Sequence, residues 1–191
     1  MGIMRVQFSK NTIILRTSTI FCNAKVASQL SPLFYNYIVL RAGLLNNLLY
    51  IYHNSIWEHG IDKAAINFFK DCCIYIGKGK GTRKFHHFKG NKCSLSAVQN
   101  EIKKEWNEGG GIILLHMHPE VNHFEAHCRE YALIKAVGLN NLCNNYNGVP
   151  FGEMNNWSMN DIITYGNALL HNALVMCIND PPDVIMSYHS F

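Results

Sequence analysis

The order of apolar and polar positions divides the chain into segments of distinct period. From Leu33 to Leu40 the run LFYNYIVL is aromatic and β-branched, as a buried strand is, and Gly43, Asn46 and Asn47 follow it as turn signals. Cys72-Cys73-Ile74-Tyr75-Ile76-Gly77 reads as a second strand ending on glycine, and Ile112 to His116 as a third. Leu95, Val98, Ile102 and Trp106 are spaced three or four apart, which predicts a helix that stops before Gly109-Gly110-Gly111. Phe124, Cys128, Tyr131, Leu133, Ile134 and Val137 predict another, stopped by Gly138. One more helix is expected from about Asp161 to Cys177, interrupted by Gly166, before Pro181-Pro182 ends regular structure. Residues 44–70 have no clean period, although Asp62 is placed to cap a short helix through AAINFF. Residues 139–153 read as an Asn- and Gly-rich loop, and no internal repeat or low-complexity tract is present.

Composition narrows the picture. With 191 residues, 48% of them hydrophobic, the chain fits one compact domain with extensions, and a solenoid or a large multidomain enzyme is disfavoured. The expected division is a basic N-terminal extension at 1–32, a folded domain at 33–153 and a C-terminal helical extension at 154–191. The first 57 residues contain no Asp or Glu, while Arg5, Lys10, Arg16, Lys25 and Arg41 are spread among Ser, Thr and apolar residues. Residues 1 to about 30 therefore read as an organellar transit peptide or an unfolded basic tail, which brings in the mitochondrion. Seven cysteines, an odd number without a CxxC pair, read as reduced intracellular thiols. No uninterrupted apolar run reaches the roughly 18 residues that a membrane span requires. The net charge of +4 permits a phosphate-bearing partner without demanding one.

The candidate chemistry lies in and after the second strand. Tyr37 and Tyr75 sit on two short aromatic strands, and residues 77–88, GKGKGTRKFHHF, form a glycine-rich basic turn. That turn opens into a segment with Arg83 and His87 four apart, hence on one helical face. The helix after Pro119 adds Glu125 and Glu130. Hydrolysis of a phosphodiester needs a group to take a proton from water, a cation to neutralise charge on the phosphoryl oxygens and a carboxylate to hold a divalent metal. The chain offers each of these. The turn supplies Lys78, Lys80 and Arg83 as cations, and Gly77, Lys78, Gly79 and Lys80 are the candidate phosphate- and DNA-binding residues, its backbone N–H groups included, but the P-loop spacing is absent and nucleoside triphosphate hydrolysis is disfavoured.

These residues resemble a GIY-YIG nuclease, and in detail the animal LEM-domain and ankyrin-repeat endonuclease branch. The resemblance is carried by AsnTyrIle at 36–38, TyrIleGly at 75–77, GlyLysGlyxxArg with His87 downstream, WNEGGGIILLH at 106–116, EAHCREYALIKAVGL at 125–139 and LCNNYNG at 142–148. It spans about residues 33–152. It implies a small α/β domain, a three-stranded antiparallel sheet flanked by helices, that cleaves DNA as a metal-dependent endonuclease with Mg²⁺ or Mn²⁺ and no small-molecule cofactor. Branched or damaged DNA, and with it DNA repair, is the implied setting, in nucleus or cytoplasm. Carried over by position, Tyr37 and Tyr75 match the two motif tyrosines, one of which activates water. Arg83 matches the arginine on the scissile phosphate, His87 the histidine that follows it, Glu130 the metal-binding glutamate with Glu125 as the alternative, and Asn144 the asparagine closing the motif set. The chain departs from the pattern in reading AsnTyrIle where the family name has Gly-Ile-Tyr, in carrying Arg41-Ala42 in place of an acidic Asp-Pro, and in placing its two tyrosines 38 positions apart.

Two other readings compete. His116, His118, His123, His127 and Cys128 have spacings that zinc sites use and could build a structural zinc module. A catalytically inactive relative would bind DNA through the basic turn and leave it uncut.

Overall fold

A computed structural model of the chain describes residues 33–54, 61–89 and 95–187. The proposed extension at 1–32 lies outside the described residues.

The first strand, β1 (Phe34–Arg41), is buried at every position from 35 to 40. Tyr35, Tyr37 and Val39 enter one core and Ile38 and Leu40 the other, so both faces of the strand are covered and its sequence shows no alternation. The aperiodic stretch that follows resolves into two helices, α1 (Ala42–Asn54) and α2 (Lys63–Cys72). Asp62 caps α2 as its sequence predicts, accepting a 2.8 Å hydrogen bond from the Ala65 N–H. Arg41, which stands where an acidic residue was expected, ties this corner together. Its guanidinium donates to Glu101 at 2.7 Å and Glu105 at 3.1 Å, and to the carbonyls of Asp71 and Cys73.

Next come β2 (Cys73–Gly79), a 3₁₀ segment (Arg83–Phe88) and α3 (Ala97–Asn107), the last opened by a Ser96/Gln99 capping box. They lead to β3 (Ile112–Val121), α4 (His123–Val137) with Asn122 as its N-cap, α5 (Met159–Asn179) and a short β4 (Val184–Ile185). The strands form one antiparallel sheet in the order β2-β1-β3-β4, with helices against it. The sheet therefore has four strands rather than the expected three. The fourth is only two residues long, pairs with Ile112 and Ile113, and is fixed by the Trp106 indole N–H donating 2.7 Å to the Ile185 carbonyl.

A second difference concerns Gly166. It does not interrupt its helix; α5 runs unbroken over 21 residues, and a Cβ on Gly166 would lie 2.1 Å from the Ala132 carbonyl oxygen. The glycine is where α5 crosses α4 at backbone contact. Ile162, Leu169, Leu170, Ala173, Leu174 and Cys177 of α5 belong to the same core as Leu133 and Ile134 of α4 and Phe69 of α2. The five described cysteines are free thiols, and no helix among the described residues is long and apolar enough to cross a membrane.

Candidate active site

The register between β1 and β2 sets the site. Tyr37 stands opposite Gly77 on β2 and opposite His116 on β3. A Cβ on Gly77 would meet the Tyr37 ring at 2.5 Å, so the glycine of the Tyr-Ile-Gly run is the one residue type over which the neighbouring tyrosine fits. Tyr37 is only 1% exposed, and its Oη shares a 2.9 Å hydrogen bond with His87 Nε2. Tyr75 is more open. Its ring centroid is 4.4 Å from that of His87 and 6.0 Å from that of Tyr37.

The basic turn is pinned by a residue that motif matching passes over. Tyr35 Oη donates 2.8 Å to the Gly81 carbonyl and accepts 3.1 Å from the Lys84 N–H. Tyr35 lies two positions from Tyr37, hence on the same face of β1, and that spacing is the signal the sequence holds for it. Gly81 takes φ +56°, and the stem of Arg83 packs over Gly79, where a Cβ would lie 3.0 Å from Arg83 Cβ. The segment that follows is 3₁₀ rather than α-helical, and Arg83 and His87 nevertheless line one cleft. That cleft has a volume of about 410 Å³ and is walled by Tyr37, Tyr75, Lys80, Thr82, Arg83, His86 and His87.

Its electrostatics follow from burial. Burial raises the Tyr37 and Tyr75 phenols above the usual tyrosine value; the charge on Glu130 adds to this in both, and Arg83 partly offsets it. Burial, helped by the neighbouring His86 and Arg83, pushes His87 down to about 4, so its imidazole is uncharged at neutral pH.

Glu130 approaches from α4, with its side chain 13% exposed and its Oε2 3.8 Å from Lys78 Nζ. Burial raises its carboxyl, while Lys78 and Arg83 hold it down. The register and packing that deliver it depend on Asn36, which is fully buried and donates 2.9 Å from Nδ2 to the Ala126 carbonyl one turn earlier on α4. Glu125 is engaged elsewhere, in an i,i+4 ion pair with Arg129.

Asn144 does not line the cleft. Its amide is spent on β2, accepting 3.0 Å from the Ile76 N–H and donating 2.7 Å to the Ile76 carbonyl, while the Cys143 N–H donates 2.8 Å to the Ile74 carbonyl. Residues 143–144 thus hold the outer edge of the strand that carries Tyr75 and Gly77.

The expected zinc ligands are dispersed. His116 packs edge-on against Tyr35, 4.6 Å between centroids, and Cys128 Sγ is bonded to the backbone of Phe151. His123 and His127 face each other with 3.1 Å between their Nε2 atoms, but no three His, Cys, Asp or Glu side chains converge among the described residues. A closed four-ligand zinc site is therefore not supported. A single half-buried carboxylate, Glu130, beside a cationic cleft does suit a hard divalent ion, which keeps several waters and takes oxygens from a substrate phosphate.

A family model described as the LEM-3-like GIY-YIG domain matches residues 34–188. The chain is 30% identical over 113 residues to ankyrin repeat and LEM domain-containing protein 1 of Homo sapiens, covering 54% of this chain and 18% of that protein. It is 30% identical over 115 residues to the Mus musculus protein of the same name, with 56% and 22% covered. It is 29% identical over 123 residues to the Caenorhabditis elegans homolog, with 60% and 18% covered. The match thus spans about a fifth of the length of these curated relatives. No solved structure matches the chain.

Proposed function

The chain belongs to the LEM-3-like GIY-YIG domain family, and from that membership and the geometry of the cleft we propose that it is a metal-dependent endonuclease hydrolysing phosphodiester bonds in DNA. The observation that carries the reading is the cleft itself: two tyrosines, an uncharged histidine and Arg83 around about 410 Å³. Such a cavity has cations for a phosphate and neutral groups for a water.

In this mechanism Arg83 and Lys80 bind the scissile phosphate, and Arg83 offsets the charge that builds on its oxygens. The Arg83 backbone N–H donates 3.3 Å to the Lys80 carbonyl, while its guanidinium makes no hydrogen bond or ion pair among the described residues and is available to do so. Tyr75 is the tyrosine that orients the attacking water, because Tyr37 is almost wholly buried and committed to His87. His87, uncharged at neutral pH and hydrogen-bonded through Nε2 to the Tyr37 hydroxyl, is a neutral positioning group for the tyrosine pair. Glu130, rather than the Arg129-bound Glu125, would hold a divalent ion, Mg²⁺ or Mn²⁺, which would supply polarisation of the phosphate and support for the leaving oxygen. Asn144, Tyr35 and Asn36 act as positioning residues for β2, the basic turn and α4.

The test is cleavage of labelled plasmid and branched DNA by the purified chain with Mg²⁺, Mn²⁺ or EDTA. Metal-dependent cutting is expected, with a loss of about a hundredfold or more in Arg83→Ala and Glu130→Ala. DNA binding without cutting would make the chain an inactive binding relative. A fully active Glu130→Ala protein would displace the metal from Glu130.

A further inference from the structure

The nuclease reading accounts for Glu130 as a metal ligand but leaves its partner unexplained. Lys78 Nζ sits 3.8 Å from Glu130 Oε2, an ion-pair distance too long for a hydrogen bond, and both side chains retain access to solvent at 18% and 13%. The charge of Lys78 is also felt by His127, which lies one turn before Glu130 on α4 and is uncharged at neutral pH.

A divalent ion on Glu130 and an ammonium left at its present distance would be like charges a few ångströms apart. The chain also offers few ligands: no three metal-binding side chains converge among the described residues. An ion of this kind completes its shell with waters and substrate phosphate oxygens. Lysine, with a flexible stem and a point charge, readily moves between a carboxylate and a phosphate.

We propose that Lys78 is an exchangeable counter-ion: in the free protein it neutralises Glu130, and when DNA arrives it transfers to a backbone phosphate, so that metal binding and DNA binding become mutually dependent. The inference rests on the nuclease reading. By thermodynamic reciprocity, DNA tightens the metal by the same factor as the metal tightens DNA, a coupling that typically lies between about 5- and 150-fold.

The experiment measures Mn²⁺ binding by electron paramagnetic resonance at about pH 8. It uses the purified chain alone and with a short branched DNA made uncleavable by phosphorothioate linkages, in wild type, Lys78→Met and Lys78→Gln. Wild type is expected to bind Mn²⁺ weakly alone and roughly tenfold or more tightly with DNA. The lysine variants are expected to bind Mn²⁺ several-fold more tightly than wild type without DNA, and to gain little when DNA is added. DNA affinity measured with and without Ca²⁺ should show the same loss of coupling. Equal Mn²⁺ affinity of wild type with and without DNA, a comparison that needs no variant, overturns the inference, as does an unchanged Lys78→Met or Lys78→Gln. If wild type cuts DNA with metal while its Mn²⁺ affinity ignores DNA, the counter-ion exchange fails and the nuclease reading stands. If it cuts nothing and binds no Mn²⁺ in either state, both fail.

Discussion

Tyr37, His87 and Gly77 meet at one point, and each is there for a different physical reason. The glycine leaves room for a ring that a Cβ would meet at 2.5 Å, the phenol closes a 2.9 Å hydrogen bond, and the imidazole is kept neutral by burial. That neutrality has a consequence for stability. In the unfolded chain a histidine takes up its proton as the pH falls through 6.5, whereas folded His87 does so only near 4. Between those values the unfolded state binds more protons, so the contribution is complete above pH 6.5 and is progressively lost as the pH falls toward 4. Urea unfolding measured at intervals from pH 7 to pH 4 should show falling stability, and His87→Gln should flatten the slope. A slope unchanged by that substitution would mean that the imidazole is not held neutral by this site. The candidacy of His87 was legible from its order after Arg83; its hydrogen bond to Tyr37, 50 positions away, was not.

Among the elements, α5 shows how one residue can be misread from a local rule. Glycine inside a helical pattern costs about 1 kcal/mol relative to alanine, which favours reading Gly166 as a break. The crossing with α4 decides otherwise, because the Ala132 carbonyl oxygen and the Ala136 methyl occupy the space a side chain would need. Gly166→Ala should therefore destabilise despite its better helix propensity, since overpacking costs roughly 1–3 kcal/mol. A melting temperature lower by about 2–12 °C is expected, read by circular dichroism; a melting temperature at or above that of wild type would show that the helices are free to separate. β1 was readable from its aromatic and β-branched run, and α3 and α4 because their apolar spacing and caps leave a local signature. α2 was announced by its Asp62 cap, but α1 was not readable, because it places Leu45, Leu48 and Leu49 inward while leaving Tyr50 and Ile51 outside, which blurs its period.

At the scale of the molecule, one sheet separates two cores, and the candidate cleft opens on the side that holds Tyr35, Tyr37 and Phe88. The other side is closed by α1, α2, α4 and α5 together. A chain ending at residue 158 would expose the inward faces of α2 and α4 and should lose its cooperative thermal transition; a sharp transition in that truncation would make α5 an appendage. The amino-acid sequence by itself determined the order of the main strands and helices, because periodicity and capping act over a few residues. It also determined which residue types are available for phosphate chemistry and the family pattern they form. Tertiary structure alone decided that Tyr75 is the more open of the two tyrosines, that Asn144 grips the backbone of Ile76, and that Lys78 stands against Glu130. Each of these depends on strand register or helix packing between residues far apart in the chain, and a shift of one position in that register would turn every side chain to the opposite face.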